Sequence, residues 1–288
     1  MPEGDTIFRT ARALGRALSG RLVRAFHSSM AELVQANDER PFLGQRVLRV
    51  ESRGKWLLIV FAPVGADEEQ AQRVLATHML MSGSWHLYPH GAKWQKPREQ
   101  TRVLIATDAV EAAGFRVPIA RVYTWQKLRR ERKIPRPEED LLREEFDAEA
   151  AVKRLMTRGN DSLGEAMVNQ RVMAGAGNVF KSEVCFAEQL SPFAPVCALR
   201  EDQVRRVVER ARRMLAANVL EDSDDRIVTY RGQHRRTTRN ADPGASLWVY
   251  GRGGQSCRRC GAAIERALLS DGARVTYWCP VCQPMPAT

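Results

Sequence analysis

Ile7, Ala11, Leu14 and Leu18 recur at the spacing of one helical face, so a helix is expected almost at the start of the chain, with Asp5 or Thr6 as N-cap and Gly20 as its stop. The pattern then changes period. Short β-branched and aromatic runs follow at 21–28, 46–61, 73–88 and 101–117, with a further strand near 119–125, punctuated by Ser52-Arg53-Gly54 and Ser82-Gly83. Such a series predicts an antiparallel β-sandwich or barrel beside the first helix. Lys133-Ile134-Pro135-Arg136-Pro137 breaks it and reads as a linker. Beyond this point the period is helical at 147–157, 162–169, 178–189 and 201–221, with a loop at Ser191–Pro195 and a polar, arginine-rich connection over 222–255. At the end, Ile264–Leu268 and Arg274–Trp278 flank Asp271-Gly272 as the two arms of a β-hairpin. The expected fold is α+β and multidomain: an N-terminal antiparallel sandwich domain with a flanking helix (1–132), a helical domain (138–245) and a small C-terminal hairpin module (246–288).

The hairpin carries the most specific chemical signal. Cys257, Cys260, Cys279 and Cys282 form C-x2-C-x18-C-x2-C at its base, a spacing that suits one structural, tetrahedral Zn²⁺. Two disulfides are the alternative, but a chain of 288 residues has no need of them to build a core. Cys185 and Cys197 lie outside the pattern and read as plain thiols, and the five histidines are scattered.

Charge sharpens the picture. The formal net charge is +11, and it is concentrated: residues 226–274 hold ten arginines against three acids, and residues 121–136 hold seven basic side chains against Glu131. Focused positive charge favours a nucleic-acid backbone as partner. No apolar run is long enough to cross a bilayer, and Pro2-Glu3-Gly4-Asp5 lacks the order of a signal peptide, so a cytosolic protein with no membrane association is expected.

Three further sites are candidates for chemistry. Removal of the initiator methionine would leave Pro2 as a secondary amine that titrates near neutrality and can attack an electrophilic carbon, with Glu3 beside it to move protons, although Pro-Glu is also an ordinary lead-in to a helix. Lys55 sits at a turn entering a strand, where it can reach a phosphate or protonate a leaving group, or simply be solvated. Gly175 and Gly177 permit a tight turn just before Asn178, whose helix N-terminus favours an anion, or is an ordinary capped turn.

In this order the segments resemble the formamidopyrimidine-DNA glycosylase and endonuclease VIII family: Pro2-Glu3, Arg53-Gly54-Lys55-Trp56-Leu57, His78 to Gly83, Gln170-Arg171 through Gly177-Asn178 as a helix–two-turns–helix motif, and a zinc finger ending Trp278-Cys279-Pro280-Val281-Cys282-Gln283. The resemblance spans nearly the whole chain. It implies base excision repair of damaged DNA by a cytoplasmic, nucleoid-associated monomer. A flipped nucleotide is attacked at C1′ by the Pro2 amine, the base leaves, and β,δ-elimination through the iminium cuts the strand. Glu3 would assist sugar-ring opening, Lys55 would contact phosphate or assist proton transfer, Asn178 and Arg274 would clamp phosphates, and Met81 would fill the vacated stack. Asp5 and Thr6 stand where a second glutamate is usual. The arginine–phenylalanine wedge of oxoguanine-directed members has no clear counterpart in 102–123, where Gly114-Phe115-Arg116 stand, and Leu80-Met81-Ser82 replaces the Gln-Leu-Tyr frequent in endonuclease VIII. Gly4 after Pro-Glu leans toward the endonuclease VIII branch and oxidised pyrimidines. An oxidised-purine glycosylase and a non-catalytic damaged-DNA-binding protein remain the alternatives.

Overall fold

The computed structural model describes residues 2–65, 72–219, 246–269 and 274–286, and its chain divides into two compact units, Met1–Arg136 and Pro137–Thr288. In the first unit, α1 (Gly4–Leu18) buries the expected stripe of Ile7, Ala11, Leu14 and Leu18. It starts earlier than the capping residues suggest. Glu3 occupies the N-cap without a side-chain capping bond, and Asp5 is buried inside the first turn. The caps implied by Asp5 and Thr6 are therefore overridden by tertiary packing, which draws the whole amino end of the helix inside.

The chain continues through β1 (Ala25–Ser28), α2 (Ala31–Glu39), β2 (Arg46–Arg53), β3 (Trp56–Ala62), β4 (Arg73–His78), β5 (Ser84–Pro89), β6 (Thr101–Ala106), β7 (Val110–Phe115), β8 (Ile119–Thr124) and α3 (Trp125–Arg130). Two antiparallel four-stranded sheets result, ordered β2-β3-β4-β8 and β1-β6-β7-β5. Alternate residues of both, including Leu57, Ile59, Phe61, Val103 and Ile105, share one core with α1. The sandwich is as expected, but α2 and α3 are not visible in the periodicity. Of the nine residues of α2 only Leu33 is buried, and α3 contributes only Leu128. Elements that bury one side chain leave no apolar stripe to read.

The second unit opens with α4 (Ala148–Met156), capped by Asp147 Oδ1 accepting from Ala150 N at 2.9 Å, and α5 (Leu163–Val168), closed by a Ser162–Glu165 capping box. Then come α6 (Asn178–Ala187) and α7 (Glu201–Ala217), and these helices enclose a core containing Leu155, Leu163, Met167, Phe180, Val184 and Val208. The unit ends in an antiparallel hairpin, β9 (Glu265–Leu269) and β10 (Arg274–Trp278), in the register Arg274↔Leu269 to Trp278↔Glu265. Its tip at Asp271-Gly272, and most of the arginine-rich connection, lie outside the described residues.

Candidate functional site

One end of the sandwich gathers several of the candidate residues. Gly20 N donates to Val47 O at 2.8 Å, and a Cβ placed on Gly15 would lie 3.8 Å from Val50 O. Rising numbers on β2 thus accompany falling numbers on α1. The amino end of α1, with half-buried Pro2 and fully buried Glu3, points toward the β2–β3 turn that carries Lys55. Gly54 permits that two-residue turn with φ 56°. Lys55 is half-buried, and its charge bears on His78, which stands opposite Trp56 on the neighbouring strand. Burial first and the Lys55 ammonium second push the His78 imidazole down to about 4. Asp5 shifts the other way: desolvation by burial raises its carboxyl, opposed in part by hydrogen bonds from Thr6 and by Arg9 at 3.4 Å.

The loop after β4 presents two apolar side chains. His78 Nδ1 accepts the Leu80 N–H at 3.1 Å, holding Leu80 at φ 43°, and Gly83 N donates to Met79 O at 2.8 Å. A Cβ on Gly83 would fall 2.8 Å from that oxygen, so only glycine closes the loop. Leu80 is 42% exposed and Met81 73%. Phe115, by contrast, is fully buried in β7 and cannot enter a base stack, while the following Arg116 is exposed at φ 47°.

In the second unit a side chain of the helix–two-turns–helix motif to which the sequence assigned no role of its own organises the turn before α6. Gln170 Nε2 donates to Val168 O and Ala176 O at 2.9 Å each, and its Oε1 accepts from Gly175 N at 3.0 Å, with Gly175 at φ 104°. Asn178 then opens the helix. Its Nδ2 donates to Val275 O at 2.6 Å, which ties the helix start to β10 immediately beside the exposed Arg274. Lys181, one turn on and fully buried, donates to Asn178 Oδ1 at 2.6 Å and Thr276 Oγ1 at 2.5 Å. Glu183 on the same helix accepts the N–H groups of Trp248, Val249 and Tyr250 at 2.8 to 2.9 Å, anchoring the chain that enters the cysteine module. Asn178 and Arg274 are thereby brought together; Lys181 and Glu183 left no signal beyond being polar residues in a helix that the fold buries.

The four cysteine sulfurs lie within 4.8 Å of one another, with Cys257–Cys282 at 3.9 Å and Cys260–Cys279 at 3.4 Å, and none is in a disulfide. A tetrahedral tetrathiolate with metal–sulfur bonds of about 2.3 Å places its sulfurs about 3.8 Å apart, so the set fits a single metal ion with no open position. The paired disulfides left open by the sequence are not formed.

The model of the formamidopyrimidine-DNA glycosylase N-terminal domain matches residues 1–118, and that of the formamidopyrimidine-DNA glycosylase H2TH domain matches residues 138–228. The chain belongs to the formamidopyrimidine-DNA glycosylase family. Within this family it is 35% identical to probable endonuclease 8 2 of Streptomyces coelicolor, covering 100% of this chain and 95% of that protein. It is 34% identical to the DNA-(apurinic or apyrimidinic site) lyase Nei2 of Mycolicibacterium smegmatis, over 98% and 99% of the two chains. A Lactococcus lactis Fpg mutant in complex with Fapy-dG-containing DNA has the same fold, with a TM-score of 0.77 at 19% identity over 98% of this chain and 100% of that one. Against the family pattern, the structure puts Leu80 and Met81 forward and buries Phe115. It also leaves Lys127, Arg129, Arg130, Arg132 and Lys133 exposed along α3 and the turn after it, a strip that reaches the Trp56 end of the sandwich, where Trp56 Nε1 donates to Lys133 O at 3.0 Å. Among the described residues no helix is long and apolar enough to cross a membrane.

Proposed function

We propose that this protein is a bifunctional DNA glycosylase and AP lyase of the endonuclease VIII type, removing oxidised pyrimidines from DNA. The observation that carries the reading is the placement of Pro2 and buried Glu3 at the amino end of α1, aimed toward Lys55, in a member of this family. Removal of Met1 leaves Pro2 as a secondary amine just before the 15-residue α1, a type of amine that titrates near neutrality and can act as a nucleophile. Attack of its lone pair on C1′ of an extruded nucleotide forms the N–C1′ bond and expels the base; the C1′–O4′ bond then breaks, leaving a cationic imine between protein and the opened sugar. Glu3, shielded from water, delivers a proton to the sugar oxygen as the ring opens. Loss of the acidified sugar protons then releases the 3′ and 5′ phosphates in turn. Lys55 contacts phosphate or assists proton transfer. Met81, exposed on its clamped loop, fills the gap left in the duplex, and Asn178 and Arg274 hold phosphates from one continuous support.

The four cysteines hold one zinc ion. When bound, it supplies structural energy alone, closing the base of the β9–β10 hairpin so that Arg274 and the Val275 carbonyl keep their places beside Asn178. The protein acts as a monomer in the cytoplasm, at the nucleoid. Borohydride added during reaction with a panel of lesion oligonucleotides is expected to trap a covalent adduct that maps to Pro2, most strongly with oxidised pyrimidines, and Pro2→Gly is expected to abolish it. An adduct on an internal lysine, or none on any lesion, refutes the assignment.

A further inference from the structure

The outer face of sheet β1-β6-β7-β5 carries a cavity that the reaction above does not use. It encloses about 270 Å³ between the loop 90–100 and the end of β1, lined by His27, Ser29, Trp94, Arg98, Thr101 and Leu104. Leu104 belongs to the outer cluster with Tyr88 and Phe115, whereas its neighbours Val103 and Ile105 face the core shared with α1. A sheet therefore separates this cavity from α1, which Pro2 precedes.

Its walls are built for a flat ring with a polar edge. Trp94 is locked in place: its indole stacks on Tyr88 with centroids 5.0 Å apart and planes at 8°, and its N–H donates to Glu111 at 3.0 Å. The Arg98 guanidinium lies 4.1 Å from the Trp94 ring centroid, yet its side chain is 64% exposed and its ion pair with Glu111 spans 4.0 Å. An exposed guanidinium held that loosely is free to move aside for a ring or to stack upon it. Below, the Thr101 hydroxyl is buried and has no hydrogen-bond partner among the described residues. His27 on the exposed rim offers a further polar contact. Exposed Lys93 and Arg102 are chain neighbours of the lining residues Trp94 and Thr101, as exposed Glu99 is of Arg98.

The position matters as much as the chemistry. Ser84 and Thr101 both stand opposite Phe115 in the sheet register, so the cavity lies toward the end of the sheet where the Met81 loop runs into β5. Arg116 joins the two: its N–H donates to Gln100 O at 2.8 Å, and its carbonyl accepts from Ser82 Oγ at 3.4 Å.

We infer that this cavity is a second nucleic-acid subsite, taking one undamaged, unpaired base of the DNA strand, stacked against the Trp94–Arg98 pair. Aromatic and guanidinium stacking is tolerant of base identity, so the subsite gives affinity for single-stranded DNA without reading sequence. The inference rests on the DNA-processing role proposed above.

The test uses the full-length protein. Single-stranded oligonucleotides carrying 5-iodouracil at successive positions are irradiated with it, and the cross-linked peptide is mapped; Trp94 is expected. Arg98→Glu is expected to weaken single-strand affinity about ten-fold, the scale of one lost stacking contact. Lys93→Glu, an equal change of charge at the exposed residue before Trp94 but outside the lining, is expected to cost clearly less. Borohydride trapping on a duplex with a preformed abasic site, at saturating protein, is expected to be unchanged in both. Thymidine alone is titrated in parallel and is expected to bind far more weakly than the oligonucleotide. The inference is overturned by absence of the Trp94 cross-link, by equal losses in the two charge variants, or by thymidine binding as tightly as the strand, which would make this a free-nucleoside site. Failure of trapping in the wild type would instead refute the proposed reaction, since trapping does not depend on this cavity.

Discussion

Protonating His78 is expected to unlock the loop that presents Met81. The ring packs edge-on to Trp56 with centroids 5.1 Å apart, and its Nδ1 accepts the Leu80 N–H at 3.1 Å. A neutral imidazole offers that lone pair; an imidazolium has none. Because burial and Lys55 lower the pKa from 6.5 to about 4, the ring is neutral throughout the physiological range. The sign follows from linkage. The unfolded chain takes up the proton near 6.5 and the folded chain only near 4, so stability present above pH 6.5 is lost progressively as pH falls to 4. A shift of that size corresponds to about 3 kcal/mol at most. His78 is only partly buried, so solvent screening reduces the expected loss to about 1–2 kcal/mol, of which the Leu80 hydrogen bond is about 1 kcal/mol. His78→Asn retains an acceptor oxygen and does not titrate. Urea unfolding of both proteins between pH 4 and 7 is expected to show the wild type losing about 1–2 kcal/mol more than the variant over that interval, and NMR titration is expected to show His78 without a transition near 6.5. Parallel pH curves, or an imidazole that titrates near 6.5, would refute the reasoning.

Three further outcomes test the second unit and the exposed loop. Arg274→Ala is expected to weaken DNA binding by about 1.5–3 kcal/mol and to shrink the salt slope by about one phosphate contact, whereas Met81→Ala leaves the slope unchanged and impairs retention of the flipped base; affinity measured against salt for both variants decides between these roles. Lys181→Met leaves the Asn178 and Thr276 oxygens without a buried donor and is expected to cost about 2 kcal/mol of stability. Its effect on DNA affinity should overlap that of Asn178→Ala, so a double-mutant cycle giving simple additivity would show that Lys181 does not act through Asn178. Cys279→Ser is expected to lower metal content by elemental analysis from one zinc per chain to none, with loss of DNA affinity, because the free energy of binding a structural metal is also folding free energy.

Much of the architecture is local and therefore readable from residue order. The α1 stripe, the strand runs punctuated by Gly54 and Gly83, the helices after Pro137 and the cysteine spacing each depend on neighbours within a few turns or one hairpin, so periodicity and spacing suffice to specify them. Even there, local preference yields at the one place where burial is extreme: Asp5, a good cap by type, is drawn inside the first turn, and the helix begins at Gly4 instead. α2 and α3 are invisible for the opposite reason, since each buries one residue and takes its position from the sheets beneath it. The pairings that position the chemistry are longer still. His78 meets Lys55 only because β3 and β4 are in register, Lys181 finds Thr276 across 95 residues, Glu183 reaches the backbone at 248–250, and Gln170 turns its amide back onto its own loop. Which residues are present, and which metal geometry they suit, was determined by the sequence. Which of them touch, which are stripped of water, and hence which proton affinities move, was decided by the tertiary structure, because desolvation and directional hydrogen bonds depend on three-dimensional neighbours that residue order does not encode.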